Sequence, residues 1–129
     1  MNAQTAAPAP STNDQEIRKA TEALTKKYVL NADQAKQMYT IQLRKAKNMA
    51  EITAFQSSDP ALYRAKAQNV QKGTLASIRR ILNSQAQVEL YQKTQSDLRA
   101  LRNKKQKELA GKKASVEEVE TALLAIYAE

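Results

Sequence analysis

Apolar residues recur every three or four positions along most of the chain, which is the spacing of one face of an α-helix. The first such stripe contains Ile17, Ala20, Leu24 and Tyr28. Asn13 precedes it and forms a capping-box-like pair with Glu16, so we predict that a first helix begins at residue 13. The helix is expected to end near residues 29–30, where the next cap begins.

A second helix is predicted from Asn31, which is a good N-cap residue with Gln34 three positions later. It runs to about Phe55, where residues 56–60 interrupt the pattern. Asp59 and Pro60 then give an N-cap followed by proline at the first helical position, which predicts the start of a third helix.

Two further helices complete the pattern. Asn83 is the expected N-cap of a fourth helix, and Gly111 is the expected residue just beyond its end, beside lysines that suit a helix C-terminus. Ser115 with Glu118 forms a complete capping box, which predicts a last helix. The chain is therefore interpreted as all-α, with four to five helices.

The lengths of these helices bear on the overall architecture. At 1.5 Å per residue, the second and fourth helices each reach roughly 35–40 Å. Such lengths favour elongated antiparallel helical hairpins, which leave apolar surface that a second copy can cover, over a regular monomeric bundle, which stays an open alternative. We expect one helical domain over residues 13–129, preceded by a flexible, proline-bearing tail over residues 1–12.

Composition removes several classes of fold and chemistry. Two glycines in 129 residues cannot serve the many tight turns of a β-sandwich or a doubly wound sheet. The absence of Cys and His removes thiol nucleophiles, thiolate metal sites and the commonest general base. No glycine-rich phosphate loop and no apolar run of about 20 residues is present. We therefore expect no enzymatic activity, no cofactor, no metal and no membrane span.

Charge is unevenly distributed along the chain, whose net charge is +8. Residues 32–82 carry nine basic and three acidic side chains, and residues 83–113 carry eight and three. Residues 114–129 carry four acidic side chains and no basic one. A strongly basic body can attract acidic, partly unfolded proteins or nucleic acid, or can simply be a solvated surface. Because no aromatic residues alternate with the basic ones as stacking platforms, nucleic acid is the less favoured partner.

A client-binding surface needs basic charge beside adaptable apolar contacts. The second helix offers both, and the basic run of the fourth helix adds further charge. Each apolar residue of this set, taken singly, is more readily explained as part of the core. The candidate client-binding residues are Met38, Ile41, Arg44, Lys45, Lys47, Met49, Ile52, Arg102, Lys104 and Lys105.

An internal repeat is visible at an offset of 52 residues. Leu30 and Asn31 correspond to Leu82 and Asn83, and an apolar residue followed by Tyr comes eight positions later in each copy. Each copy has the last apolar residue of one helix and the cap of the next. We interpret this as a structural repeat, although any pair of consecutive helices favours a cap there.

These two segments resemble the Spy/CpxP family of periplasmic proteins, whose signature is a twice-occurring Leu-Thr-x-x-Gln. Leu30, Asn31 and Gln34 match the first copy with Asn in place of Thr, while the second copy has Ala86 where the motif requires Gln. The resemblance implies a periplasmic location, an antiparallel homodimer shaped like a shallow cradle, and an ATP-independent chaperone or envelope-stress role. No export signal is visible in residues 1–12, which fit either a processed exported chain or an ordinary cytosolic N-terminus.

The functional hypothesis is therefore a periplasmic chaperone-like protein that binds unfolded or aggregation-prone proteins. The alternatives are a helical structural or adaptor module without chaperone activity, and a basic helical protein associated with nucleic acid. The motif and cap residues that we expect to matter are Leu30, Asn31, Gln34, Leu82 and Asn83.

Overall fold

The computed structural model of the chain describes residues 14–126 and residue 129. Within these residues every regular element is a helix, as the periodicity predicts. The predicted tail over residues 1–12 and the predicted cap at Asn13 lie outside the described residues. The helices are α1 (Asp14–Tyr28), α2 (Ala32–Ile52), α3 (Phe55–Ser58), α4 (Pro60–Ile81), α5 (Gln85–Gly111) and α6 (Val116–Leu124).

Three of the predicted helix starts are confirmed. The Asn31 side chain accepts a hydrogen bond from the Gln34 amide at 2.8 Å, and the Gln34 side chain accepts from the Asn31 amide at 3.0 Å. Asp59 caps α4 by accepting from the Leu62 amide, with Pro60 in the first turn. Ser115 opens α6 with the predicted capping box. Each cap depends on residues within three positions, so the local sequence decides it.

Two other predicted boundaries are wrong by a few residues. The N-cap of α5 is Ser84, not Asn83, because the Ser84 hydroxyl accepts from the Gln87 amide at 3.2 Å. The second helix ends at Ile52 rather than near Phe55. A separate single turn, α3, follows it before the cap at Asp59.

The expected role of Gly111 is also corrected, because Gly111 is the last residue of α5 and Lys113 adopts the left-handed conformation, with φ 56°. The Lys113 and Ala114 amides donate to carbonyls of the last turn, as in a Schellman ending. Helix α1 ends in the same way at Val29, whose φ is 52°. A β-branched residue is sterically disfavoured at positive φ, so this turn stores backbone strain.

The core lies where α1, α2, α4 and the start of α5 meet. Tyr28, Met38 and Ile78 are fully buried there, and their cluster is completed by Leu24, Ile41 and Leu82. Tyr91 of α5 packs against this cluster, with its ring centroid 6.4 Å from that of Tyr28. The segments that join α1 to α2 and α4 to α5 therefore border the same core.

Helix α5 is the longest element, at 27 residues, which corresponds to about 40 Å. Its only buried residue is Gln87, in the first turn. Helix α6 packs against both α4 and α5. Leu101 of α5 and Val116 of α6 remain 51% and 71% exposed. None of the described helices is long and apolar enough to cross a membrane.

Candidate functional site

Two buried glutamines join the segments that precede α2 and α5. The Gln34 Nε2 donates to the Gln87 Oε1, and the Gln87 Nε2 donates to the Gln34 Oε1, both at 2.9 Å. Each amide group also donates to a main-chain carbonyl of the opposite segment, Ile81 for Gln34 and Val29 for Gln87. Each accepts a main-chain amide of its own segment. All four hydrogen-bonding positions of both side-chain amides are therefore filled.

This pair revises the predicted repeat. Val29 and Ile81, whose carbonyls accept from the two glutamines, are 52 residues apart. The N-caps Asn31 and Ser84 are 53 residues apart, and so are Gln34 and Gln87. The second copy thus contains one additional residue, and Gln87 takes the place that was assigned to Ala86. The signal in the sequence was Ser84, which stands three positions before Gln87 as Asn31 does before Gln34.

Most of the apolar candidates for client binding are part of the core. Met38 is 0% exposed, Ile41 5% and Ile52 8%, and Met49 is partly buried. Met38 and Ile52 are enclosed by neighbouring side chains, so the direct contact with a client that was expected for these two residues is wrong. Ile41 is almost as buried, but it borders a groove between α2 and α4. The periodicity of α2 correctly predicted which of its residues lie on one apolar face. That face packs against α1 and α4 and is therefore part of the core.

A basic groove runs between α2 and α4, and we call it the α2/α4 groove. It consists of two adjoining cavities of about 270 and 250 Å³ that share Ile41, Arg44, Ser77 and Arg80. Arg44 was predicted from the sequence, whereas Arg80 was not. The remaining lining residues are Gln37, Thr40, Ile81, Lys45, Asn48, Asn69, Val70, Gly73 and Thr74.

The charged residues that line the α2/α4 groove are all basic. Three cations line it, and no lining residue carries a carboxylate. The Arg44 guanidinium makes only a long contact of 3.5 Å with the Ser77 hydroxyl. Ile41, Val70 and Ile81 give the groove an apolar component. Guanidinium groups pair with carboxylates in a bidentate manner, so the arrangement suits acidic side chains carried on a partly apolar chain.

The other basic candidates lie elsewhere. Lys47 is exposed on α2 but does not line the α2/α4 groove. Arg102, Lys104 and Lys105 lie in the second half of α5, where Lys105 forms an exposed ion pair with Glu108 at 3.7 Å. The structure therefore divides the predicted basic set between the groove and a separate stretch of α5.

Lys45 also forms an ion pair with Glu129, because its Nζ lies 2.7 Å from a carboxylate oxygen of that residue. The Gln42 Nε2 donates to the other carboxylate oxygen at 3.2 Å. The main-chain oxygen of Glu129 accepts from the Lys27 Nζ at 2.8 Å and from the Tyr28 hydroxyl at 3.0 Å. We call these four donors the Glu129 site. Only Lys45 was predicted from the sequence as a functional residue, whereas Tyr28 was predicted as part of the apolar stripe of the first helix.

A second, more apolar groove lies between α1 and α2, with a volume of about 820 Å³. Tyr39 borders it, and the Tyr39 hydroxyl donates to the Asp14 carboxylate at 2.6 Å. This hydrogen bond and the adjacent Arg18 hold the pKa of Asp14 below its ordinary value. The cations on its rim are mostly paired, Arg18 with Asp14 and Lys26 with Glu22, so this groove lacks the excess charge of the α2/α4 groove.

The described residues contain no group of three or more His, Cys, Asp or Glu side chains that could hold a metal ion. Comparison with curated proteins and with solved structures finds no match to this chain. A family model, however, matches residues 2–126, which is nearly the whole sequence. The chain therefore belongs to the DUF4890 family, a domain of unknown function.

Proposed function

We propose that this protein is a chaperone-like binding protein that holds partly unfolded, acidic polypeptides in the α2/α4 groove without using ATP. One observation carries the proposal: Arg44, Arg80 and Lys45 line a groove with an apolar component and no carboxylate. An unfolded acidic chain presents carboxylates and apolar side chains together, and the groove offers a partner for each. Binding of this kind is loose, because exposed charge pairs contribute little individually.

The proposed location is the periplasm, as the resemblance to the Spy/CpxP family implies. The resemblance rests on Leu30, Asn31 and Gln34, and in the second copy Gln87, one position later than the motif requires, lies beside Gln34. The test is to locate the native protein by cell fractionation. Recovery with cytosolic markers would contradict it.

We also propose a homodimer, for which the half-exposed Leu101 and the exposed Val116 offer apolar surface beside the long α5. Sedimentation equilibrium at micromolar concentration is expected to give about twice 14.4 kDa. A single species at the monomer mass across the concentration range would refute the dimer.

Nucleic acid is the competing ligand for a basic groove. The lining residues of the α2/α4 groove include no aromatic side chain, so bases find no stacking platform there. Acidic polypeptide is therefore the better fit. Fluorescence anisotropy with a labelled single-stranded DNA provides the comparison.

The main experiment follows light scattering while a chemically denatured acidic enzyme is diluted into buffer containing the protein. The groove variant combines Arg44→Glu with Arg80→Glu. The matched control combines Arg99→Glu with Lys107→Glu, which changes the net charge equally on exposed positions of α5. We expect the wild type and the control to suppress aggregation and the groove variant to fail.

Salt gives a second test, because the Debye length falls from about 10 Å at 0.1 M to about 3 Å at 1 M. Suppression is expected to weaken with salt but to persist in part, since apolar contacts remain. Absence of suppression by the wild type would favour the structural-module alternative. Equal loss in the groove variant and the control would show that net charge, rather than the groove, attracts the client.

A further inference from the structure

The Glu129 carboxylate is held in an unusually enclosed place for a charged side chain. Its side chain is 8% exposed, and donors from both α1 and α2 contact it or its main-chain oxygen. Burial of a carboxylate is unfavourable unless charged or polar partners replace its water. Here Lys45 supplies the opposite charge and Gln42 a hydrogen bond.

Two of the four donors that surround Glu129 are buried residues. Gln42 is 5% exposed and Tyr28 is 0% exposed. Burial raises the pKa of the Tyr28 hydroxyl, which therefore keeps its proton for donation. The Lys45 ammonium contacts the side-chain carboxylate of Glu129, and the Lys27 ammonium contacts its main-chain oxygen. The side chains of Gln42 and Lys45 thus offer a hydrogen bond and an opposite charge to one carboxylate, and the partly exposed Lys45 is the member of the pair that another acidic group can reach.

Lys45 connects this site to the α2/α4 groove. It lines the groove and at the same time forms the ion pair with Glu129. A carboxylate of a bound polypeptide that reaches Lys45 therefore meets an ammonium group whose charge is already engaged by Glu129. Only Arg44 and Arg80 remain as cations of the groove that are not engaged by Glu129.

We propose that Gln42 and Lys45 form a carboxylate-binding site beside which Lys27 and Tyr28 hold the main chain of Glu129. The Glu129 carboxylate fills this site when no client is bound, and an acidic side chain of a bound polypeptide displaces it from Lys45. The identity of the competing ligand rests on the proposed function. The existence of the site rests on the geometry around Glu129. Glu129 therefore lowers the affinity of the groove for acidic chains.

The experiment compares Glu129→Gln with Glu117→Gln. Both substitutions raise the net charge equally, but Glu117 is exposed on α6, whereas Glu129 is enclosed. The probe is a fluorescein-labelled peptide of ten glutamates, and binding is followed by anisotropy. We expect the Glu129 variant to bind the peptide about fivefold more tightly than the wild type, the lower end of typical coupling between sites. The Glu117 variant is expected to change affinity by less than twofold.

A second measurement reads the site directly. Acetic anhydride labelling followed by mass spectrometry gives the reactivity of Lys45 relative to Lys47, an exposed lysine on the same helix. The ratio is expected to rise in the Glu129 variant and to fall again when the peptide is added. It is expected to stay unchanged in the Glu117 variant. Circular dichroism spectra and melts verify that both variants keep the fold.

The outcomes separate this proposal from the proposed function. Equal peptide affinity and equal Lys45 reactivity in the two variants would overturn the carboxylate site, even if the wild type suppresses aggregation. A tighter peptide complex and a more reactive Lys45 in the Glu129 variant, without suppression of aggregation, would support the site and reject the chaperone role. Absence of peptide binding by every variant would overturn the competition with Glu129.

Discussion

The buried pair of Gln34 and Gln87 yields the sharpest prediction for stability. Substitution Gln87→Ala removes four hydrogen bonds: those with the Val29 carbonyl, the Asn83 amide and both ends of the Gln34 amide group. The substituted residue is 6% exposed and its partner Gln34 is 3% exposed. Water therefore has little access to the groups of Gln34 that lose a partner.

The magnitude follows from which groups remain buried. Val29 and Asn83 are exposed residues and their hydrogen bonds with Gln87 are only partly buried, so we expect water to replace Gln87 as the partner of their main-chain groups. One N–H and one acceptor position of Gln34 stay enclosed, and an unpaired buried polar group costs about 1–3 kcal/mol. The gain in helix propensity from Gln to Ala offsets only a few tenths of a kcal/mol. We expect the free energy of unfolding to fall by about 2–3 kcal/mol.

The assay is urea denaturation followed by circular dichroism at the helix band, with Gln92→Ala as the control on the exposed face of α5. The control is expected to change the free energy of unfolding by no more than about 0.5 kcal/mol. In the double variant with Gln34→Ala, the loss is expected to be smaller than the sum of the single losses by about 1–2 kcal/mol, because the second substitution removes groups already unpaired. A Gln87 variant as stable as the control, or strictly additive losses, would refute the pairing.

Three other predictions concern single turns. Val29→Gly is expected to raise the free energy of unfolding by about 1 kcal/mol, because glycine tolerates positive φ and Val29 is 73% exposed, so little packing is lost. Urea melts measure this change, and a variant less stable than the wild type would contradict the prediction. Ser84→Ala is expected to lower the free energy of unfolding by about 1 kcal/mol and Asn83→Ala to lower it clearly less, because Ser84 is the N-cap of α5. The reverse order in urea melts would instead support Asn83 as the cap, as expected from the sequence. Hydrogen bonds from Ser115 hold the pKa of Glu118 below its ordinary value, so their stabilisation of α6 is present above the unfolded pKa of about 4.3 and is lost as the pH falls through the folded pKa. An NMR titration of the carboxyl carbon is expected to give a pKa of Glu118 below its ordinary value, and Ser115→Ala, which removes the hydroxyl but keeps the amide donor, is expected to raise it only in part. A wild-type pKa at or above the ordinary value would contradict this assignment.

The sequence by itself determined the features that depend on neighbouring residues. Apolar spacing specified the helices, and caps such as Asn31 and Ser115 were identified because each bonds to residues three positions away. It also identified Met38 and Ile41 as one face of α2, without deciding whether that face is core or surface. Periodicity records only that a face is apolar.

The tertiary structure decided every contact between distant residues. Gln34 and Gln87 are 53 positions apart, and neither the local pattern nor the 52-residue repeat indicated that their amides meet. Arg80 completes the α2/α4 groove only because α4 packs beside α2, and Glu129 reaches Lys45 from 84 positions away. Such pairings depend on how helices pack, and packing is set by the combined shape of many side chains rather than by the residues adjacent to a site.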